Sequence, residues 1–204
     1  LLTYNRAGGG KGVSLIQPNL AHSNDRTLVI VDIKDGEHAF SSSAHRRAAL
    51  GTEVVYFNPY GLHGYPNTNV NPLFRLLEVV RAGGSPDGEA ESIFEIALPA
   101  PARESENAFF RKGAIQLCTL RAEFLAFEKP NECTLPDIWR FLHGDEEHFA
   151  MEFSMMATSE NESVARRAQA FASMRRTAEK QWEAIRSEAA SALSAFEPGK
   201  SLGN

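Results

Sequence analysis

The chain has 204 residues, 43% of them apolar and 23% charged, with a formal net charge of −5. This is the balance of a globular protein, not of a disordered one, and it gives no general reason to expect nucleic-acid or acidic-lipid binding. No apolar run approaches the ~18 residues of a transmembrane helix, and no stretch reads as a signal peptide. Charge is unevenly placed, with six basic and five acidic residues in 1–74 and fifteen and twenty-one in 75–204. The length suits one large domain or two small ones. Leu1 is not a methionine and opens inside what reads as a strand, so the expectation is a fragment whose upstream part is missing.

In chain order, the apolar start Leu1-Leu2-Thr3-Tyr4 leads into Asn5-Arg6-Ala7-Gly8-Gly9-Gly10-Lys11-Gly12-Val13-Ser14, and a helix-compatible run from Val13 to Leu20 follows. Strand, glycine loop and helix in that order suit a phosphate. Glycines let backbone N–H groups crowd an anion, the helix N-terminus adds partial positive charge, and lysine adds a full one. The pattern departs from G-x-x-x-x-G-K-[ST] at two places. Asn5 stands where the first glycine belongs, and Asn tolerates left-handed angles. Gly12 follows the lysine and has no hydroxyl for Mg²⁺. The competing reading of this segment is a merely flexible glycine turn.

Residues 27–33, Thr-Leu-Val-Ile-Val-Asp-Ile, form a continuous apolar run rich in β-branched residues, which predicts a strand buried on both faces. Pro18 predicts a bent or shortened helix before it. Residues 38–50 read as a helix stopped by Gly51, and Glu53-Val54-Val55-Tyr56-Phe57 as a third strand. The order β, α, β, α, β predicts an α/β sheet with a right-handed crossover. Residues 58–72 are turn-rich, with Asn58-Pro59 and Asn71-Pro72, and no convincing strand follows Leu73. Helices are predicted over 73–80, 89–98, 105–127, 135–142 with Thr134 as N-cap, 146–156 and 162–196. The predicted boundary separates 1–74, the α/β part, from 75–204, an all-α part.

Several constellations bear on chemistry. Asp32 ends the apolar run and is a candidate nucleotide-adjacent acid, with Lys34 beside it; the plain alternative is a strand-end cap or a charged turn before the next helix. A second acid in an hhhhDE setting is absent, since Gly144-Asp145-Glu146-Glu147 reads as a helix N-terminus. Cys118, Cys133, His143 and His148 lack zinc spacing, and the two cysteines read as packing thiols in a reducing compartment. No nucleophilic triad is suggested, so no catalytic or metal-binding residue is assigned. Arg166, Arg167, Arg175, Arg176, Lys180 and Arg186 form the one basic cluster. It reads first as a solvated helix with intrahelical ion pairs, and second as a stripe facing DNA or a partner. Phe109, Phe110, Phe124, Phe127, Trp139 and Phe141 read as core.

Six segments stand in a recognisable order: Gly8 to Ser14, Ile16 to Leu20, Val29 to Lys34 with Gly36-Glu37, Arg46 to Gly51, Val55 to Pro59, and Asn71 to Leu73. Together they resemble the coupling proteins of type IV secretion systems, the conjugative DNA-transfer ATPases. The likeness is specific across residues 5–74 and looser through Ala108-Phe109-Phe110 and Leu135-Pro136-Asp137-Ile138. Asp35 is an extra residue between the Lys and Gly-Glu of the family's D-x-K-G-E stretch. The resemblance implies a partial RecA-like P-loop domain followed by the family's all-α domain. It implies ATP and Mg²⁺ as ligands, with Gly8, Gly9, Gly10, Lys11, Gly12 and Val13 around the phosphates. It further implies a homo-hexamer at the cytoplasmic face of the bacterial inner membrane, which receives a relaxase–DNA complex and passes it to the secretion channel. Membrane helices would precede Leu1, and the missing acid would follow Asn204, so the isolated chain is expected to hydrolyse ATP poorly. The rival reading is a non-hydrolytic helical module that docks relaxase or accessory proteins. A small P-loop kinase is a third, weakened by the lack of strands after residue 57.

Overall fold

The computed structural model describes residues 12–23, 27–32, 36–86, 88–100 and 107–203. Contacts divide the chain into two compact units, 1–69 and 70–204.

The first unit corrects the expected α/β sheet. Among the described residues there is no strand and no sheet, so the partial RecA-like fold is not what the chain forms. The run 27–32 and the segment 51–58 lie without ladder partners. Val29 and Val31 are 90% and 85% exposed, and Val55 and Phe57 are 60% and 63% exposed. A parallel strand has both faces covered and its backbone bonded to neighbours. β-branched side chains favour extended backbone, but they do not supply those neighbours. The predicted strand at 1–4 lies outside the described residues.

The unit's regular structure is helical. A π-helical turn, Gly12–Ile16, runs into α1, Gln17–His22. Pro18 falls in the first turn of α1, directly after the π-helical turn, so the helical stretch lacks one backbone donor at that junction. Helix α2, Glu37–Leu50, ends at Gly51 with φ 62°, the left-handed cap that the sequence predicts.

The second unit is all helical among its described residues: α3 Phe74–Arg81, α4 Glu89–Ala97, α5 Asn107–Glu128, α6 Leu135–Leu142, α7 Glu146–Ala157, α8 Glu162–Thr177 and α9 Glu179–Ala192. The predicted single helix 162–196 is two, because the backbone leaves helical angles at Ala178 (φ −142°, ψ 53°). Side-chain caps start three helices. Thr134 Oγ1 accepts from Asp137 N–H at 3.2 Å, Asp145 Oδ1 from His148 N–H at 2.8 Å, and Asn161 Oδ1 from Val164 N–H at 3.1 Å. Each satisfies an amide that the first turn leaves without a partner.

Helix α5 is the centre of this unit. Leu117, Cys118, Leu120 and Leu125 are fully buried, and the helix packs against α4, α8 and α9. Phe109, read from sequence as core, is exposed because it falls in the first turns of α5, ahead of the packed stretch that begins at Gly113. An aromatic group closes the other side. Phe141 of α6, Phe149 and Phe153 of α7, Phe171 of α8 and Trp182 of α9 meet at centroid distances of 5.1–6.4 Å. Such pairs add about 0.5–1.5 kcal/mol each beyond the area that they bury.

Helices α5 and α9 approach closely at Gly113. A Cβ there would stand 2.6 Å from Ile185 Cδ1 and 2.8 Å from its Cγ1. Ile185 is itself buried and cannot swing clear. Gly113→Ala is therefore expected to destabilise the unit by about 1 kcal/mol net, overpacking outweighing the better helix propensity of alanine. Urea unfolding followed by tryptophan fluorescence measures this, since Trp139 and Trp182 both lie in the unit. Ile185→Val should relieve the Gly113→Ala variant more than it affects the wild type. Strictly additive effects would rule out the clash.

Candidate functional site

The predicted phosphate segment begins at Gly8. Gly8, Gly9, Gly10 and Lys11 lie outside the described residues, as does Lys34. Gly12 and Val13 are described and belong to the π-helical turn, so the backbone is helical from the residue after the lysine to His22.

Asp32 is half-buried, and its Oδ2 accepts the N–H of His38 at 2.7 Å. His38 is the second residue of α2, so the carboxylate lies at the positive end of that helix, where the aligned peptide dipoles favour an anion. The run that carries Asp32 is not a strand, so the carboxylate caps the start of α2 and not a strand end.

Sequence reasoning passed over the contact between the helical stretch after Lys11 and α2. Leu20 is the buried residue of α1. Ser42, Ser43 and Arg46, spaced i, i+1 and i+4 on α2, are buried too, and Arg46 Nη1 donates to the Leu20 carbonyl oxygen. These three buried residues are polar, so they add nothing to an apolar stripe. The one available signal was an arginine among small residues in Ser41-Ser42-Ser43-Ala44-His45-Arg46.

The two Asn-Pro turns prove to be loop hubs. Asn58 is buried; its Nδ2 donates to the carbonyls of Leu62 (3.1 Å) and Tyr65 (3.0 Å), and its Oδ1 accepts from Leu62 N–H (3.0 Å). Its own N–H donates to Asn67 Oδ1 at 2.7 Å. In the helical unit, Asn71 Oδ1 accepts from Leu73 N–H at 3.0 Å, and its Nδ2 donates to the Cys133 carbonyl at 2.8 Å. An Asn side chain can imitate a backbone turn in this way.

The basic cluster of α8 and α9 separates by partner. Arg167 pairs with Glu123 of α5, and Arg175 with Glu146 of α7. Arg186 pairs within its helix with Glu183 at 2.6 Å. Two of these three are helix-to-helix clamps instead of the intrahelical pairs expected. Arg166, Arg176 and Lys180 are exposed and form no ion pair among the described residues. Cys118 and Cys133 are buried, and desolvation pushes both thiols up to about 12, so each stays protonated near neutral pH and serves packing. No helix among the described residues is long and apolar enough to cross a membrane.

These features define a protein that is mainly helical among its described residues, with a glycine-rich, lysine-bearing sequence ahead of its first described helix. The chain belongs to the family described as type IV secretory system conjugative DNA transfer, whose profile matches residues 1–199. No curated protein and no solved structure matches it. The family assigns the chain to conjugative DNA transfer by type IV secretion, a membrane-associated system with DNA as its cargo.

Proposed function

We propose that the chain is the ATP-binding part of a conjugative coupling protein. The observation that supports this most directly is the helical backbone of residues 12–22, which follows Gly8-Gly9-Gly10-Lys11 in the sequence. The residue types suit a triphosphate: the backbone N–H groups from Gly8 to Val13 would wrap the phosphates, and Lys11 would take the β/γ charge. They suit Mg²⁺ less. Gly12 carries no hydroxyl, Asp32 is engaged at the end of α2, and no group of three metal-ligating side chains gathers among the described residues. Mg²⁺ would enter on the nucleotide and keep most of its water.

Within the full assembly this reading places the chain in a homo-hexamer at the cytoplasmic face of the bacterial inner membrane. The helical unit would meet the relaxase–DNA complex and the channel proteins. A second reading, a helical docking module with an idle glycine loop, draws on the same unit. It has its own complete core and still exposes Phe74, Ile96, Phe109 and Met151.

Calorimetry with Mg²⁺–ATP separates the two readings. Binding that Lys11→Ala weakens at least ~100-fold is the expected result for a lysine on the β/γ-phosphates, with little or no turnover by the wild-type chain. No binding heat, and no effect of Lys11→Ala, would leave the docking module.

A further inference from the structure

The contact between α1 and α2 does more than pack two helices. Helix α1 has six residues, too few to hold a helix in water by itself. Its described buried surface is Leu20, so apolar docking contributes little. The second tether is Arg46. This side chain is only 5% exposed, its guanidinium donates to the Leu20 carbonyl, and it reaches no carboxylate among the described residues. A buried guanidinium held by a carbonyl is a costly arrangement for a residue that could lie in solvent, as its neighbour Arg47 does. The carbonyl that it reaches is one of the last four of α1, which have no intrahelical donor, at the negative end of the helix. Arg46 therefore supplies one donor and a positive charge to the end of α1 distant in sequence from Lys11.

We propose that Arg46 is a positioning residue for the phosphate segment. By gripping the Leu20 carbonyl it fixes the helical stretch 12–22, whose first residue follows Lys11 in the sequence. The inference rests on the nucleotide-binding reading above. It adds a residue 26 positions from its contact, on a different helix, that touches no nucleotide. A lysine in its place could still donate to a carbonyl, though without the planar fork. An alanine could not.

The test compares the full chain, Arg46→Ala and Arg46→Lys by two measurements: calorimetry with Mg²⁺–ATP, and amide hydrogen exchange over residues 13–22. Arg46→Ala should lose protection in 13–22 and weaken ATP binding on the order of tenfold, the size of effect that follows loss of a hydrogen bond to a charged group. Arg46→Lys should recover most of both. Tryptophan-monitored unfolding of the helical unit should stay unchanged, because both tryptophans lie there. Exchange in 13–22 that does not change in Arg46→Ala overturns the proposal, whatever ATP does. Lost protection with unaltered ATP affinity also overturns it. Should Arg46→Ala lose protection across α2 and residues 58–68 as well, the lysine variant decides: an affinity as poor as that of alanine, with the fold restored, overturns the positioning role. A wild-type chain that binds no ATP, but whose 13–22 protection depends on Arg46, would sink the nucleotide reading and the positioning role with it, leaving only a helix tether.

Discussion

Removing either partner of the Arg121–Glu152 pair is expected to destabilise the helical unit by about 3–5 kcal/mol. Both side chains are buried, 6% and 7% exposed. The guanidinium meets the carboxylate in a fork: Nη1 donates to Oε2, and Nη2 to Oε1 at 3.3 Å. Arg121 also lies over the Phe141 ring, 4.9 Å from its centroid, and over that of Phe124 at 5.6 Å. The pair joins α5 to α7 in a place where neither charge reaches water. Glu152→Ala would leave a guanidinium among aromatic rings with no counter-charge, and Arg121→Ala would strand a carboxylate. The size of the loss is the cost of the abandoned charge and does not measure what the intact pair contributes. The double variant Arg121→Met/Glu152→Leu should therefore recover most of the stability. Urea unfolding of the three variants checks this through the midpoint at constant slope. A single-site loss below about 1 kcal/mol would mean that water reaches the pair.

Phe153→Ala should cost a comparable amount, about 3–5 kcal/mol, for an apolar reason. Phe153 is buried at the meeting point of four rings: edge-on to Phe141 at 5.9 Å and Trp182 at 5.6 Å, and nearly parallel to Phe149 and Phe171 at 6.4 Å each. Truncation removes the transfer energy of the ring and leaves a cavity bounded by α6, α7, α8 and α9, which cannot all close on it. Phe153→Leu keeps most of the volume and should lose only ~1.5 kcal/mol or less. A thermal melt by far-ultraviolet circular dichroism reads the difference, with a fall of roughly 10 °C expected for alanine. Equal losses for alanine and leucine would mean that the ring contacts, and not the filled volume, carry the effect.

These two positions also show where local reading stops. Glu152 and Phe153 sit in a helix that the sequence predicts almost to the residue, since Asp145 marks its start and caps it. Nothing local says that Glu152 would face inward. Its partner lies 31 residues away, and a glutamate on a helix ordinarily faces solvent. Trp182 and Phe171 are buried as well, but their meeting on Phe153 depends on how α8 and α9 fold back at Ala178, where neither glycine nor proline marks a break. Arg46 has the same history. It stands in one of the segments that resemble the family, yet its work is visible only once α1 lies against α2.

By itself the sequence determined the family, most helices of the second unit with the Thr134 cap, and the two Asn-Pro turns, but it merged α8 and α9 into one helix. These depend on residues within a few positions of one another: a side-chain oxygen three residues from an amide, a left-handed glycine after a last turn, an asparagine folding back on its own loop. It misled on the sheet. The runs 27–33 and 53–57 carry the side chains that suit buried strands, but a strand becomes part of a sheet only through bonds to distant residues, and the described segments have none. The tertiary structure alone decided which charges are buried in pairs, which arginine grips a carbonyl, and where α5 and α9 come close enough to require Gly113. Each of those contacts joins residues that lie far apart along the chain and become neighbours only when helices pack.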